Sequence, residues 1–429
     1  MPAVDTVCAH VMRLRILHIS TRLIVGGSQE NTVLSCEGQA RHGHDVHLAF
    51  GPIFGPEGSM LDRVLAFNAA CASDGRGVQP IVPHEIPHLV REVHPIADRR
   101  CLDELRRLIE ELQPDIVHTH SSKAGILGRV AAWACMERNK RRGLARPAVI
   151  HTIHGPPFMP IEGSPLSRLK TAALNHAYAS AERHAARRCH VIVAVADAMT
   201  RQFLQRNIGR PEQYITVRSG MEIEPYIRPA DGQRREQVRA RLGLEDRDFV
   251  VGTVARLAQH KGHDDILDAL AEVLPARPEI KLLWVGDGWW AERLRRRIRA
   301  MGLTRRVVLT GLVDPEQIPG LVRAMDVLCH PSYREGLPRT IPQALLCGVC
   351  PVAYDVDGTG EVCREMETGR LVAPGDIDAL GRAIIELADN PEQRHQLAAR
   401  GRAECMEQFD VRRMVKSLEE VYRRALEMV

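Results

Sequence analysis

The 429-residue chain is predicted to be an α/β protein of two parallel-sheet domains facing each other across a cleft. Three observations predict this. Short β-branched runs alternate with longer helix-period segments along almost the whole chain, the grammar of repeated β-α-β units. The alternation pauses once, in the Gly-, Pro- and charge-rich stretch "ITVRSGMEIEPYIRPADGQ" (215–233), and then restarts. The length is too great for one ordinary core and suits two domains of about 200 residues each.

The elements follow in order. "RILHIST" (15–21), "DVHLAF" (45–50), "PDIVHTH" (114–120), "AVIHTIH" (148–154) and "HVIVAV" (190–195) read as strands. Helical periodicity lies between them over 28–42, 99–113, 122–138 and 166–188. "NAACASDGRGVQP" (68–80) reads as a loop. Beyond the pause, "DFVVGTVARL", "IKLLWVGDG", "RVVLTGL", "DVLCHPS", "CPVAYD" and "GRLVAP" supply a second sheet. Each βα junction places backbone N–H groups at a strand's carboxyl end, so two such sheets face to face make a deep cleft.

Composition narrows the class. An apolar content of 45% and a charged content of 26% are those of a soluble globular protein. The net charge of +4 is small for the length. With no zinc-finger, RNA-recognition or basic-zipper pattern, nucleic acid is not an expected partner. No window holds about 18 consecutive apolar residues, so no spanning helix is expected. The amino terminus lacks a signal peptide's long apolar core, and residues 1–12 read as a loose extension. Eleven scattered cysteines fit a reducing cytosol. The pair in "CGVC" (347–350) spans a helix end and a buried strand start, which favours burial over redox or zinc chemistry.

Four stretches carry candidate chemistry. In "TRLIVGGSQENT" (21–32), Gly26 and Gly27 suit either a tight turn or a place where phosphate or sugar meets backbone at a helix start. The stretch lacks Gly-x-Gly-x-x-Gly, which argues against an ordinary dinucleotide site. In "GTVARLAQHKGHDDIL" (252–267), Arg256 and Lys261 combine a planar donor fork with a mobile point charge, which suits a diphosphate; two solvated surface charges are the alternative. "PDIVHTHSSKAG" puts His118 and His120 on one strand face, with His120 at the carboxyl end and His118 deeper, as a hydrogen-bonded core histidine. "IHTIHGPP" places His154 at a strand end in the same way. No carboxylate stands at ligand spacing from these histidines, so no metal site is expected. In "REGLPRTIPQALLCG" (334–348), Glu335 lies in a loop, Gly336-Leu337-Pro338 follows, and a helix starts near Arg339 with Pro342 in its first turn. Gln343 stands two turns later. An acid there would repel a diphosphate, so Glu335 suits the hydroxyls of a sugar.

Together these residues resemble the retaining glycosyltransferases of the GT-B fold, family four, from residue 14 to about 425. The likeness is carried by Gly26-Gly27, "DIVHTHSSKAG", "VARLAQHKG", "REGLPRTIPQAL" and "GRLVAPGD". It implies two Rossmann-like domains: an acceptor-side domain over 13–218 and a nucleotide-sugar domain over 219–405, with a C-terminal helix over 406–429 packing back toward the first. It implies a nucleotide diphosphate sugar as donor, a saccharide or lipid-linked acceptor, no cofactor and no metal. The expected reaction is hexose transfer with retention, in cell-surface polysaccharide or glycolipid synthesis. Arg256 and Lys261 match the pair that neutralises the diphosphate, and Glu335 the acid that contacts the sugar hydroxyls. Gln343 stands where the family usually holds the ribose with a second Glu, a departure that costs charge assistance on the order of 1 kcal/mol. His120 matches a histidine that approaches sugar and phosphate, Gly26 and Gly27 the loop near the phosphates, and His154 a less constant cleft position. The backbone N–H groups near Gly336 and Leu337 would add donors.

The resemblance also places many members at the cytoplasmic membrane face. Here the basic run 138–146 and the segment 166–188, with its apolar and basic faces, suit either anionic lipid at the inner face or a solvated loop and core helix. Two other classes share the architecture: a nucleotide-sugar epimerase, and a non-catalytic nucleotide-sugar-binding partner subunit, for which Gln343 is the one argument.

Overall fold

The computed structural model describes residues 13–53, 58–74, 77–159 and 164–429. The extension over 1–12 lies outside them. The first sheet comprises β1 (Arg15–Ser20), β2 (Asp45–Phe50), β3 (Val82–Glu85), β4 (Ile116–His120), β5 (Ala148–Ile153), β6 (Val191–Ala194) and β7 (Tyr214–Thr216). Its order is β3-β2-β1-β4-β5-β6-β7, and every pairing is parallel. The second comprises β8 (Phe249–Val254), β9 (Ile280–Val285), β10 (Val307–Leu309), β11 (Val327–His330), β12 (Cys350–Tyr354) and β13 (Arg370–Val372). Its order is β10-β9-β8-β11-β12-β13, again all parallel.

Helices cover both faces of each sheet, which is why β1, β2, β4, β5 and β6 are buried along nearly their whole length rather than at alternate residues. Strand order reverses between β1 and β4 in one sheet and between β8 and β11 in the other. A crevice opens at the carboxyl ends at each such reversal, and the two crevices face each other.

The sequence reading misses β3 and β7. Both are short edge strands, half exposed, and β3 carries Pro83, so neither shows the buried β-branched run that marks the central strands. The expected loop over 68–80 is corrected as well, because the helix Leu61–Asp74 occupies its first half. Val64 and Phe67 anchor that helix on the core, and its alanines favour helix.

The chain leaves the second domain at the end of the helix Pro391–Gln408, beyond residue 405. It crosses back where Met221 bridges Asp410. The last helix, Val411–Leu426, then buries Met414, Val415, Leu418, Val421 and Tyr422 against the first domain. Hydrophobic burial of that stripe ties the two domains together at their hinge side.

Candidate active site

A cleft of about 650 Å³ opens between the carboxyl ends of the two sheets. Gly27, His154, Arg256, Lys261, Glu335, Gly336 and Leu337 all line it, drawn from stretches far apart in sequence. Gly26, His120 and Gln343 do not appear on its wall. Gly26 precedes the helix Gly27–Arg41, whose first residues Gly27 and Ser28 reach the cleft. Gln343 lies in the helix Thr340–Leu346 and is buried.

The wall from the second domain is built around Glu335. Its Oε1 lies 2.5 Å from Lys261 Nζ and 2.9 Å from His330 Nε2. Burial alone would raise the pKa of this carboxyl, but the Lys261 ammonium and His330 together hold it well below the ordinary carboxylate range. Glu335 N–H donates to Asp357 Oδ2 at 2.7 Å, and Gln202 from the first domain donates to Asp357 Oδ1 at 2.5 Å. Asp357 adopts the left-handed region at φ 48, so the loop that fixes Glu335 is itself held in an uncommon conformation.

Arg334 and Arg339 also line the cleft. Arg334 donates to the Pro156 carbonyl across the domain boundary. Arg339 donates to the Gly220 carbonyl at 2.9 Å, and its Nη2 lies 2.9 Å from Glu30 Oε1. Arg256 lies over the Trp289 ring, 5.6 Å from its centroid. The domains approach closely at Gly336, where a Cβ would sit 2.0 Å from the His154 carbonyl oxygen. Glycine is required there because backbone, not a movable side chain, fills the space.

The wall from the first domain is uncharged where it meets this cluster. His154 lies behind Gly336, and burial followed by the nearby Arg339 charge lowers its pKa to about 3. His120 is 1% exposed, with both ring nitrogens engaged: Nδ1 with His154 Nε2 at 3.1 Å and Nε2 with His18 Nδ1 at 2.9 Å. It therefore meets the cleft through His154. His118 lies deeper, bonded to the Tyr422 hydroxyl and to Thr152. Farther along the wall, Glu182 pairs with the fully buried Arg129 at 2.6 Å, with the Tyr178 hydroxyl 3.3 Å away.

Sequence reasoning missed His330, Asp357, Arg334, Arg339 and His18. Arg334 and Arg339 flank Glu-Gly-Leu-Pro, and the density of cations around that motif is the signal that marks them. His18 had no such signal: its place beside His118 on the neighbouring strand comes from the register of the sheet. Asp357 had none, since its role comes from loop geometry. Cys347 and Cys350 are free thiols that burial pushes up to about 12, so they are not poised for redox chemistry.

Two facing parallel-sheet domains with a deep cleft between their carboxyl ends define a GT-B type architecture. The sequence profile of the Glycosyl transferases group 1 family matches residues 234–404, and that of Glycosyltransferase Family 4 matches 25–223. A 2-deoxystreptamine N-acetyl-D-glucosaminyltransferase of Streptomyces fradiae is 30% identical over 72% of this chain and 70% of its own. A UDP-Gal:alpha-D-GlcNAc-diphosphoundecaprenol alpha-1,3-galactosyltransferase of Escherichia coli is 28% identical over 71% of this chain and 74% of its own. Among solved structures, Anabaena HepE in complex with UDP and glucose superposes with a TM-score of 0.73 at 21% identity, covering 95% of this chain and 99% of that one. The chain belongs to the group 1 glycosyltransferases.

Proposed function

We propose that this glycosyltransferase moves a hexose-type sugar from a nucleotide diphosphate sugar to a hydroxyl of a saccharide or lipid-linked acceptor, with retention and without a metal ion. The observation that carries this reading is the density of cations on the second-domain wall. Arg256, Lys261, Arg334 and Arg339 line one cleft together with the start of the helix Gly27–Arg41. That set can stabilise a departing diphosphate, the part a divalent ion plays in other phosphoryl-leaving reactions. The names of the relatives agree: one transfers galactose to a diphosphoundecaprenol-linked sugar, and HepE has been solved with UDP.

The roles follow from position. Lys261 and His330 both contact Oε1 of Glu335, which leaves Oε2 to accept sugar hydroxyls. Because Glu335 stays ionised, it is an acceptor and not a general acid. The acceptor hydroxyl attacks the anomeric carbon on the face the diphosphate leaves. A donor phosphate oxygen takes the hydroxyl proton as the glycosidic bond forms and the sugar–phosphate bond breaks. The close meeting of Gly336 with the His154 loop shields this step from water.

We place the protein in the cytoplasm in peripheral contact with an anionic membrane, in cell-surface polysaccharide or glycolipid synthesis. No helix among the described residues is long and apolar enough to cross a membrane. The helix Pro165–Ala186 supports surface contact: Leu166, Leu169 and Leu174 are exposed beside Arg168 and Lys170, and its buried residues are confined to its second half. Co-sedimentation with anionic vesicles should fall when Leu166 and Leu169 are both changed to Ser; equal binding to neutral vesicles would remove the proposal.

Nucleotide release from a panel of uridine, guanosine and adenosine diphosphate sugars tests the reaction, with a chelator present, with and without a crude membrane-lipid acceptor fraction. Acceptor-stimulated release from one donor is expected. Release from donor alone with sugar inversion would favour an epimerase. Binding without any release would favour a non-catalytic subunit, with Gln343 as its cause.

A further inference from the structure

A chain of hydrogen-bonded side chains runs from the C-terminal helix through the first domain to the cleft. Tyr422 is fully buried, and its hydroxyl lies 2.7 Å from His118 Nδ1 and 2.9 Å from Gln39 Nε2. Gln39 Oε1 lies 2.8 Å from His18 Nε2. His18 Nδ1 meets His120 Nε2 at 2.9 Å, and His120 Nδ1 meets His154 Nε2 at 3.1 Å. Gln39, His18 and His120 are buried, while His154 opens on the cleft. Burial keeps all three rings neutral, His18 at about 4 and His120 well below its ordinary value.

A neutral imidazole has one N–H and one lone pair. Tyr422 has one proton. The Gln39 amide donates from Nε2 to the Tyr422 hydroxyl, so Tyr422 gives its own proton to His118 Nδ1, and His118 carries its proton on Nε2, facing Thr152 Oγ1 at 2.7 Å. That turns the amide oxygen of Gln39 toward His18. The oxygen can only accept, so His18 carries its proton on Nε2 and accepts at Nδ1. His120 then donates from Nε2, and so does His154. Nδ1 of His154 is left with a lone pair. A reversed amide would reverse every link and leave an N–H there instead.

We propose that Gln39, oriented by Tyr422, is a positioning residue that sets the polarity of this histidine chain, so that His154 offers an acceptor nitrogen to a substrate hydroxyl in the cleft. The hydroxyl rests on the glycosyl-transfer reading; the polarity does not. His18, His118 and His120 also offer ligand atoms within 4.8 Å of one another, as a metal site would. Their ring nitrogens are already bonded within the protein, so an ion would have to break the chain.

Long-range proton–nitrogen correlation spectra of the histidine rings in the full chain test this. His18, His120 and His154 should all show the Nε2–H tautomer. Gln39→Met and Tyr422→Phe should each give mixed tautomers at His154 and lower kcat/KM by about tenfold, the cost of one misdirected hydrogen bond. A packing role alone would lower the melting temperature and leave the His154 tautomer unchanged. An Nδ1–H tautomer or a charged ring at His154 in the unaltered protein would overturn the proposal. So would unchanged tautomers in both variants, or stoichiometric zinc that shifts His18, His118 and His120 together. Correct tautomers in a protein with no transfer activity would sink the glycosyl-transfer reading and leave the polarity standing.

Discussion

Where the two domains meet around Gly336, the first presents a neutral row of histidines, whereas the second presents the charged cluster around Glu335, although both are largely enclosed. On the first, no carboxylate among the described residues bonds His18, His120 or His154, so burial decides and the rings lose their protons. On the second, burial also opposes charge at Glu335, but Lys261 at 2.5 Å and His330 at 2.9 Å outweigh it. The difference teaches that enclosure alone does not set the charge of a site; a partner within reach does. An anionic leaving group belongs between the second wall and the start of the helix Gly27–Arg41, and uncharged hydroxyls belong beside the histidines.

The sharpest way to break this comparison is to remove the partner. Lys261→Met should cut transfer on the order of 10³-fold, because it removes a cation from the departing diphosphate. It should also cost roughly 3 kcal/mol of stability by leaving Glu335 enclosed with its cationic partner gone and only His330 beside it. Adding Glu335→Gln should restore stability but not activity, as read by urea unfolding and steady-state rates. A rate within tenfold of the unaltered protein would end the assignment of Lys261.

Acid separates the walls. The folded-state pKa values of His18 and His154 lie below the unfolded value of 6.5, so the unfolded state binds more protons between them. Stability is full above about 6.5 and falls as pH drops toward about 4, His18 alone contributing roughly 3 kcal/mol. Glu335, also depressed, is lost only below about 4.5, the unfolded carboxylate value. Unfolding midpoints at pH 7.5, 6 and 5 should therefore decline before Glu335 titrates. A flat profile across that range would mean the histidine wall carries charge.

The smallest effect expected is at Gln343, which sits inside a helix and off the cleft wall. Gln343→Glu should change donor KM no more than about tenfold, since one hydrogen bond's charge assistance is at stake. Complete loss of turnover would refute its assignment to a ribose hydroxyl.

The charged wall was more legible in the sequence than the neutral one. Arg256, Lys261 and Glu335 sit in short segments after strand carboxyl ends, the binding side of a parallel sheet, and all three reach the cleft. His120 was placed at a strand's carboxyl end by alternation, but alternation says nothing of what stands in front of a side chain. His154, from the next strand, fills that space. His18 and Gln39 were not singled out because their role lies in bonds across three elements, and Tyr422 enters from the C-terminal helix, which only the family resemblance tied to the first domain. Edge strands β3 and β7 were lost because short, half-exposed strands carry little apolar pattern.

The most direct test is calorimetric binding of uridine and guanosine diphosphates to the unaltered protein and to Lys261→Met, in a chelating buffer. One nucleotide should bind the unaltered protein with no divalent ion present, and Lys261→Met should weaken it at least tenfold. Binding that disappears in chelator and returns with magnesium, or that ignores Lys261→Met, would contradict the claim that side-chain cations of the second wall hold the diphosphate.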